Sequence, residues 1–567
     1  MQLVSDQATA MTIIWPLLQA AFGFTLAVVG AWLLTFVSKL WQTRSHIRRL
    51  QKAGKPVPPH SFLMGHLLQA KAASEELPPG AHSAYVLTRL ATKFKTEAFY
   101  FDPWPIADPL LSLTDYRLAN QATSHEWTGS VKPPTLSRWF APISGRGGLN
   151  LFTQNGADWK QDHEIFLPFF NNANLDATLP AIVEEMLVLR GILRQKSQQK
   201  DVVLLEPLML ALMNDVIGRV VFNAELKNQT SGSHHPLSKA MLRQLSLKFT
   251  ENDVVASLTQ LNPLWSLEVW YNGRVLDKQI RAQIEKRAAV FQAEKGSDDK
   301  SPSNAMLDRI IADYFSQSSH KQSGRIDEEF MTMLCAQMRL LFFAGYDSTS
   351  STLTSMCYLI WRHPDVLAKL RAEHDEVFGR NTEACPAKIV ENPSILNCLP
   401  YTNAVIKEVM RLFPPAAGVR QGCKELVLRG NDGMEYPTEG IIVQINHVAM
   451  MRNPATWPRP LEFLPERFLV GPEHELYPPK GAWRVFEMGR RDCTGQAFVM
   501  KELRMFLALF AREFDFKECY DEVYAGETVD LTHVYNEKAF LTESGSAHPR
   551  GNLPCRISLS HYASTSA

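Results

Sequence analysis

The stretch Phe486-Glu487-Met488-Gly489-Arg490-Arg491-Asp492-Cys493-Thr494-Gly495 constrains this chain more than any other. It spells Phe-x-x-Gly-x-Arg-x-Cys-x-Gly. The two glycines let the backbone turn tightly and bring its N–H groups close to a sulfur. Such donors, with the dipole of a helix starting near Gly495, favour the thiolate of Cys493, the form that binds a metal. A structural cysteine in a glycine-rich turn is the competing reading. None of the eight cysteines forms a Cys-x-x-Cys or a Cys/His zinc spacing. At 567 residues the chain is also far longer than a disulfide-stapled secreted domain. Most of the cysteines therefore read as buried, reduced thiols of a reducing compartment.

From Met11 to Val37 the chain carries no charge. A hydrocarbon core of about 30 Å needs about 20 apolar helical residues, so this run predicts a membrane-spanning helix. A cleaved signal peptide fits less well, because the run is too long and no basic segment precedes it. A buried core helix is the remaining alternative. Only Asp6 is charged before the run, whereas Lys39, Arg44, Arg48, Arg49, Lys52 and Lys55 follow it, with no acid until Glu75. Basic flanks stay in the cytosol, so the bulk of the protein is expected there. The expected organisation is a lumenal N-terminus and anchor over 1–37, a basic and Pro-rich linker over 38–60, and one body over 61–567. Pro56, Pro58 and Pro59 stiffen that linker. Asn228-Gln229-Thr230 has the form of a glycosylation triplet, which a cytosolic position leaves unmodified.

Lys+Arg and Asp+Glu both total 59, which argues against a nucleic-acid partner. With 45% hydrophobic and 21% charged residues the chain is globular. Segments with helical period dominate, a strand-like run lies at Gly440 to Ile445, and Asn228 to His235, Gly296 to Asn304 and Ser316 to Gly324 read as loops. The expected fold is mainly α (α+β), one large helical domain with small β-sheets. Asp327 caps a long helix with Glu328 and Glu329 in its first turn; Pro364 ends it near Arg362. Inside it Asp347, Ser348, Thr349 and Ser350 interrupt an apolar run, either for a chemical reason or as a solvent-facing patch. Glu408 and Arg411, three apart, share one helical face ahead of Pro414-Pro415, and Pro465-Glu466-Arg467-Phe468 follows.

These motifs, in this order, resemble the cytochrome P450 family of haem-thiolate monooxygenases, in its membrane-anchored microsomal type, over roughly residues 56–559. The resemblance implies haem b with Cys493 as the axial ligand of the iron in a catalytic domain over 61–567. Phe486, Gly489 and Arg491 of the loop would bind the haem. Trp159 and His163 match a Trp-x-x-x-Arg position with His in place of Arg, and Arg420 matches another propionate contact. Asp347 and Ser348, with Thr349 beside them, match the acid–alcohol pair that relays protons on the oxygen side; most members carry threonine where Ser348 stands. Glu408, Arg411 and Arg467 match a structural lock. Glu487 stands where most members have glycine.

The resemblance further implies electrons from NADPH through an NADPH-cytochrome reductase, with cytochrome b5 as an additional donor, meeting a face that carries Arg490, Lys501 and Arg504. It implies an endoplasmic reticulum membrane and a lipophilic small-molecule substrate, in a pocket formed partly by Phe342, Phe343, Ala344 and Ala416 to Val419. The expected reaction is hydroxylation or epoxidation. The spelling of Phe486 to Gln496 and of Lys501-Glu502-Leu503-Arg504 is similar to filamentous fungal members, which implies a polyketide or terpene secondary metabolite. A haem-thiolate isomerase or dehydratase acting without reductase, and a haem sensor without turnover, remain alternatives. Deleting residues 1–37 is expected to move the protein into the soluble fraction with its haem retained; loss of haem would make the segment part of the fold.

Overall fold

The computed structural model describes residues 2–124, 131–248, 262–294, 303–316 and 325–564. Most of the expected loops Gly296 to Asn304 and Ser316 to Gly324 lies outside the described residues. The first element, α1 (Gln2–Lys52), is one continuous helix. Its apolar window, within Phe22–Lys52, is 0% buried against the body, and Phe24, Trp32 and Leu34 stand open. A core helix would bury those side chains, so the segment fits a membrane anchor.

The basic stretch expected to be a linker is helical as far as Lys52, because nothing after Val37 breaks a helix until Gly54. There Gly54 takes φ +74° and Lys55 N–H donates to Leu50 O at 3.0 Å, a Schellman-type stop. The end of α1 is docked rather than free. Arg44 is fully buried, pairs with Asp102, and donates to Trp104 O at 2.6 Å and Phe62 O at 3.2 Å. Asp102 also accepts from His60 at 2.9 Å. Beyond the helix, the proline segment is pinned by the Tyr100 N–H, which donates to Pro56 O at 2.9 Å.

In the body, β1 (Ala98–Phe101), β2 (Leu110–Leu113), β3 (Gly418–Gln421) and β4 (Ile442–Ile445) form a sheet of order β1-β2-β4-β3. The β2–β4 pair is parallel and the other two pairs are antiparallel. The strand expected from Gly440 is β4, entered from a turn at Gly440 with φ +69°. A hairpin of β5 (Leu541–Ser544) and β6 (Ser546–Pro549) lies against the long central helix.

The helices that build the site are α2 (Gly156–Phe166), α3 (Leu205–Phe222), α4 (Glu328–Ile360), α5 (Pro400–Leu412) and α6 (Gln496–Phe510). The cap of α4 is Asp327, whose side chain accepts from Phe330 N–H at 2.8 Å. Helix α3 crosses α4 at Gly345, where a Cβ would come within 2.6 Å of Ile217. Phe342 faces α3 as well, with its ring 5.8 Å from that of Phe222. The opposite stripe of α4 is less covered: Leu341 and Ser348 are half-buried and Ala344 is exposed. Asn228 of the glycosylation triplet is buried, and its amide donates to Asp215 at 2.9 Å.

The irregular chain from Met451 to Phe468 is held by buried charge. Glu408 accepts two hydrogen bonds of 2.8 Å from Arg411, one of 3.0 Å from Arg467 and one of 3.0 Å from Leu464 N–H. Arg411 donates onward to Met451 O, Pro460 O and Glu462 O, and Arg467 to Pro458 O and Arg459 O. All three side chains are 0% exposed. Glu408→Ala would strand two buried guanidiniums and is expected to cost about 3–5 kcal/mol. Chemical denaturation of the purified protein measures this, and a loss under ~1 kcal/mol would remove the lock from the account.

Candidate functional site

The cysteine loop folds back on itself ahead of α6. Cys493 N–H donates to Phe486 O at 2.8 Å and Asp492 N–H to Gly489 O at 3.1 Å. Gly489 takes φ +84°, and a Cβ there would come within 2.7 Å of Thr123 O. Glu487 takes φ +60°, an uncommon value for a residue with a side chain, at a cost of roughly 1–2 kcal/mol. Cys493 opens onto a cavity of about 860 Å³ lined by Trp159, His163, Trp483 and Met500 among others. Burial pushes its thiol up to about 11, against the pull of the Gly495 and Gln496 N–H groups. Both N–H groups act in the direction expected of the loop, toward the thiolate; a coordinated metal deprotonates such a thiol outright.

Around the loop, basic side chains outnumber acids. Glu487 accepts from His447 Nε2 at 2.7 Å, Arg420 at 3.1 Å and Arg484 at 3.2 Å. Burial alone would raise its carboxyl, but those partners hold it well below the usual carboxylate range. Lys132 is pushed well down by burial and by the charges of Arg420 and Arg491. Arg491 is pushed down to about 9 by burial and by Arg420; a guanidinium still stays charged at neutral pH. Arg491 donates to Gln154 O at 2.9 Å and Phe152 O at 3.2 Å, and its guanidinium lies 4.5 Å from the Trp159 ring centre. Trp159 in turn stacks on His163 at 4.6 Å. Arg484 is 1% exposed, and its Nε is a buried donor without a partner in the structure. Arg420 and Arg484 pair with Glu487, Lys132 feels its charge, and Arg491 adds a fourth cation beside Arg420. A group bringing two further anionic oxygen sites would offset most of that charge.

On α4, Ser348 Oγ donates to Ala344 O at 2.9 Å on the open stripe. Thr349 is 0% exposed and its hydroxyl has no partner in the structure, so it lies off that stripe. Asp347 is 3% exposed and turned to the hairpin, accepting from Ser546 N–H at 2.7 Å. Ala416 and Ala417 are exposed ahead of β3. Phe342, expected to line the pocket, points instead into the α3 contact. Phe343 packs on Phe140 at 6.3 Å between ring centres. On the other side, Arg490 is exposed, but Lys501 is buried and paired with Asp176, and Arg504 donates to Leu396 O at 3.1 Å. Of the basic groups expected to greet a donor protein, only Arg490 stands free of the body.

These residues fit a haem. Cys493 would hold the iron, and Lys132, Arg420, Arg484 and Arg491 would hold the propionates. The unpartnered Arg484 Nε and the surplus of buried cations are what an anionic edge would satisfy. A loop cysteine ahead of a helix, with a cluster of buried cations around the same loop and a long helix in the body, fits a haem-thiolate class of protein. Residues 56–525 match the family model "Cytochrome P450", and this chain belongs to that family. It is 33% identical to cytochrome P450 monooxygenase polC of Polytolypa hystricis, over 93% of each chain. It is 28% identical to cytochrome P450 monooxygenase acrF of Aspergillus aculeatus, over 85% of this chain and 98% of the other. The crystal structure of the cytochrome P450DA heme domain shares the fold, with TM-score 0.68 and 19% identity over 90% of this chain and 98% of that one. The chain is a cytochrome P450 monooxygenase with an N-terminal apolar helix that fits a membrane anchor.

Lys132, Arg484 and His447 escaped the sequence reading, as did the ion pairs of Glu487. Arg484 carried a signal: a lone charge inside Ala482-Trp483-Arg484-Val485-Phe486 is placed to be buried and paired. His447 and Lys132 carried none. Glu487→Gln is expected to destabilise the haem-free protein by about 3 kcal/mol and the haem-loaded protein by less, since propionates then share the cations. The carboxyl is depressed in the folded state, so its contribution is present above pH ~4.3 and disappears as pH falls below it. Urea midpoints of both forms measure this, and equal losses would contradict the cradle.

Proposed function

We propose that this monooxygenase takes electrons from NADPH through a membrane-bound NADPH-cytochrome reductase and hydroxylates or epoxidises a lipophilic small molecule. The proposed substrate is a polyketide or terpene secondary metabolite. The observation that carries the haem-thiolate reading is the Cys493 thiol at the start of α6 beside a cluster of buried cations short of anions. Bound there, haem b supplies oxygen activation at an iron held by sulfur. The chain's own part is to position and to protonate. Ser348 presents a hydroxyl on the open stripe of α4, next to the buried Asp347. The exposed Ala344, Ala416 and Ala417 would serve as small, apolar walls for such a substrate. The fungal origin of the similar monooxygenases supports the substrate class.

Single-pass anchoring in the endoplasmic reticulum membrane, with the body in the cytosol, follows from the basic residues after the apolar run. Arg490, with Lys160 and Lys407 on the rim of the cavity beside Cys493, offers positive charge to an acidic reductase or cytochrome b5 surface.

A comparison of metabolites between a deletion strain and its parent identifies the accumulating precursor. That precursor, given to the purified protein with reductase, NADPH and labelled dioxygen, is expected to gain one labelled oxygen atom. Product formed without NADPH and dioxygen would make the chain an isomerase or dehydratase instead. Ser348→Ala is expected to raise peroxide release per NADPH consumed; unchanged coupling would take Ser348 out of the proton path.

A further inference from the structure

His548 lies in β6 between two carboxylates. Its Nδ1 is 2.5 Å from Glu206 Oε1, at the start of α3, and its Nε2 is 3.3 Å from Asp347 Oδ2, in the middle of α4. Ser546 completes the cluster: its N–H donates to the same Asp347 oxygen at 2.7 Å, and its hydroxyl is 3.1 Å from His548 Nε2. The side chains of His548, Glu206 and Asp347 are 6%, 1% and 4% exposed. Three ionisable groups from three elements therefore meet out of contact with water.

Hydrogen-bond bookkeeping sets the charge state. A neutral imidazole has one N–H and one lone pair, so it can donate to only one of two flanking carboxylates. Both ring nitrogens here face carboxylate oxygens, and only the imidazolium has an N–H for each; a neutral ring would leave Asp347 to Ser546 alone, with Nε2 accepting from the Ser546 hydroxyl. Two buried carboxylates without a cation between them are the costlier arrangement. Burial alone would lower the imidazole, but Glu206 and Asp347 outweigh it and raise it well above its ordinary value. The surrounding charges are few. His82 faces His548 and is itself pushed down by burial, Glu543 faces His82, Tyr520 faces Glu206 and Tyr346 faces Asp347.

We propose that His548, backed by Glu206, is a positioning residue that holds the Asp347 carboxylate against the β5–β6 hairpin and so sets how the Asp347–Ser348 pair delivers protons to the open face of α4. Ser348 follows Asp347 directly, and its hydroxyl is tied to Ala344 O on that face. Asp347 points the other way, to Ser546 and His548. Any turn of Asp347 toward the open face must break those contacts, so His548 sets the energy of that turn. The proposal deepens the monooxygenase reading and rests on it.

The test uses the full-length haem-loaded protein and the variants His548→Gln and Glu206→Gln. Without the cation, one of the two buried carboxylates is expected to take up a proton near neutral pH. Infrared spectroscopy of His548→Gln should then show a protonated carboxyl band absent from the unsubstituted protein. The band should shift or vanish in His548→Gln/Asp347→Asn or in His548→Gln/Glu206→Gln. With reductase and NADPH, peroxide released per NADPH consumed should change severalfold in His548→Gln, with a displaced pH profile, and in the same direction in Glu206→Gln. The infrared signal needs neither substrate nor reductase, so it stands or falls apart from the identity of the reaction. Normal haem content with no new band and unchanged peroxide release would overturn the proposal. Loss of haem uptake in both single variants would overturn it too, making the trio a brace for the hairpin.

Discussion

Buried charge that must be paired is the constraint on which the rest of this structure depends. Glu408, Arg411 and Arg467 sit in a dry interior where an unpartnered ion is prohibitively costly. Every nitrogen of the two guanidiniums finds a carbonyl of the 451–462 stretch or a carboxylate oxygen of Glu408. A segment with no long helix or strand thereby acquires one geometry. It leads straight into the loop that carries Cys493, so the position of the sulfur is inherited from an electrostatic lock some distance away.

The same physics, left open, shapes the haem site. At Glu408 the charges close on themselves; around Glu487 they do not. Lys132, Arg420, Arg484 and Arg491 gather in one cluster with Glu487, and burial together with the repulsion of like charges lowers the affinity of Lys132 and Arg491 for their protons. A protein interior tolerates such an imbalance when a ligand supplies the missing anion. Glu487 gives this chain a partial internal substitute for that anion. Its positive φ and its three partners link β3, the segment at His447 and the cysteine loop into one unit.

What was legible in the sequence was whatever the chain brings together over short distances. The Phe486–Gly495 loop, the Glu408–Arg411 pair and the capped start of α4 each need partners within a few positions, so spacing alone reveals them. The contacts that tune the site are long-range: Glu487 meets Arg420 across 67 positions, and His548 meets Glu206 across 342. No periodicity in one sequence announces such pairs. Two features of the structure differ from what the sequence suggests for another reason. The apolar run suggests Phe342 as pocket wall, but α4 turns it onto Phe222 because Gly345 lets α3 approach on that side. The basic residues after Val37 looked like a linker because charge rises there, yet charge does not break a helix, and the helix continues until Gly54.

Whether sulfur at position 493 binds iron is the claim everything else serves, and the carbon monoxide spectrum of the reduced, haem-loaded protein tests it most directly. The account predicts a thiolate-type Soret band that Cys493→Ala abolishes. An imidazole-type band in the unsubstituted protein, or a thiolate-type band that survives in Cys493→Ala, would contradict it.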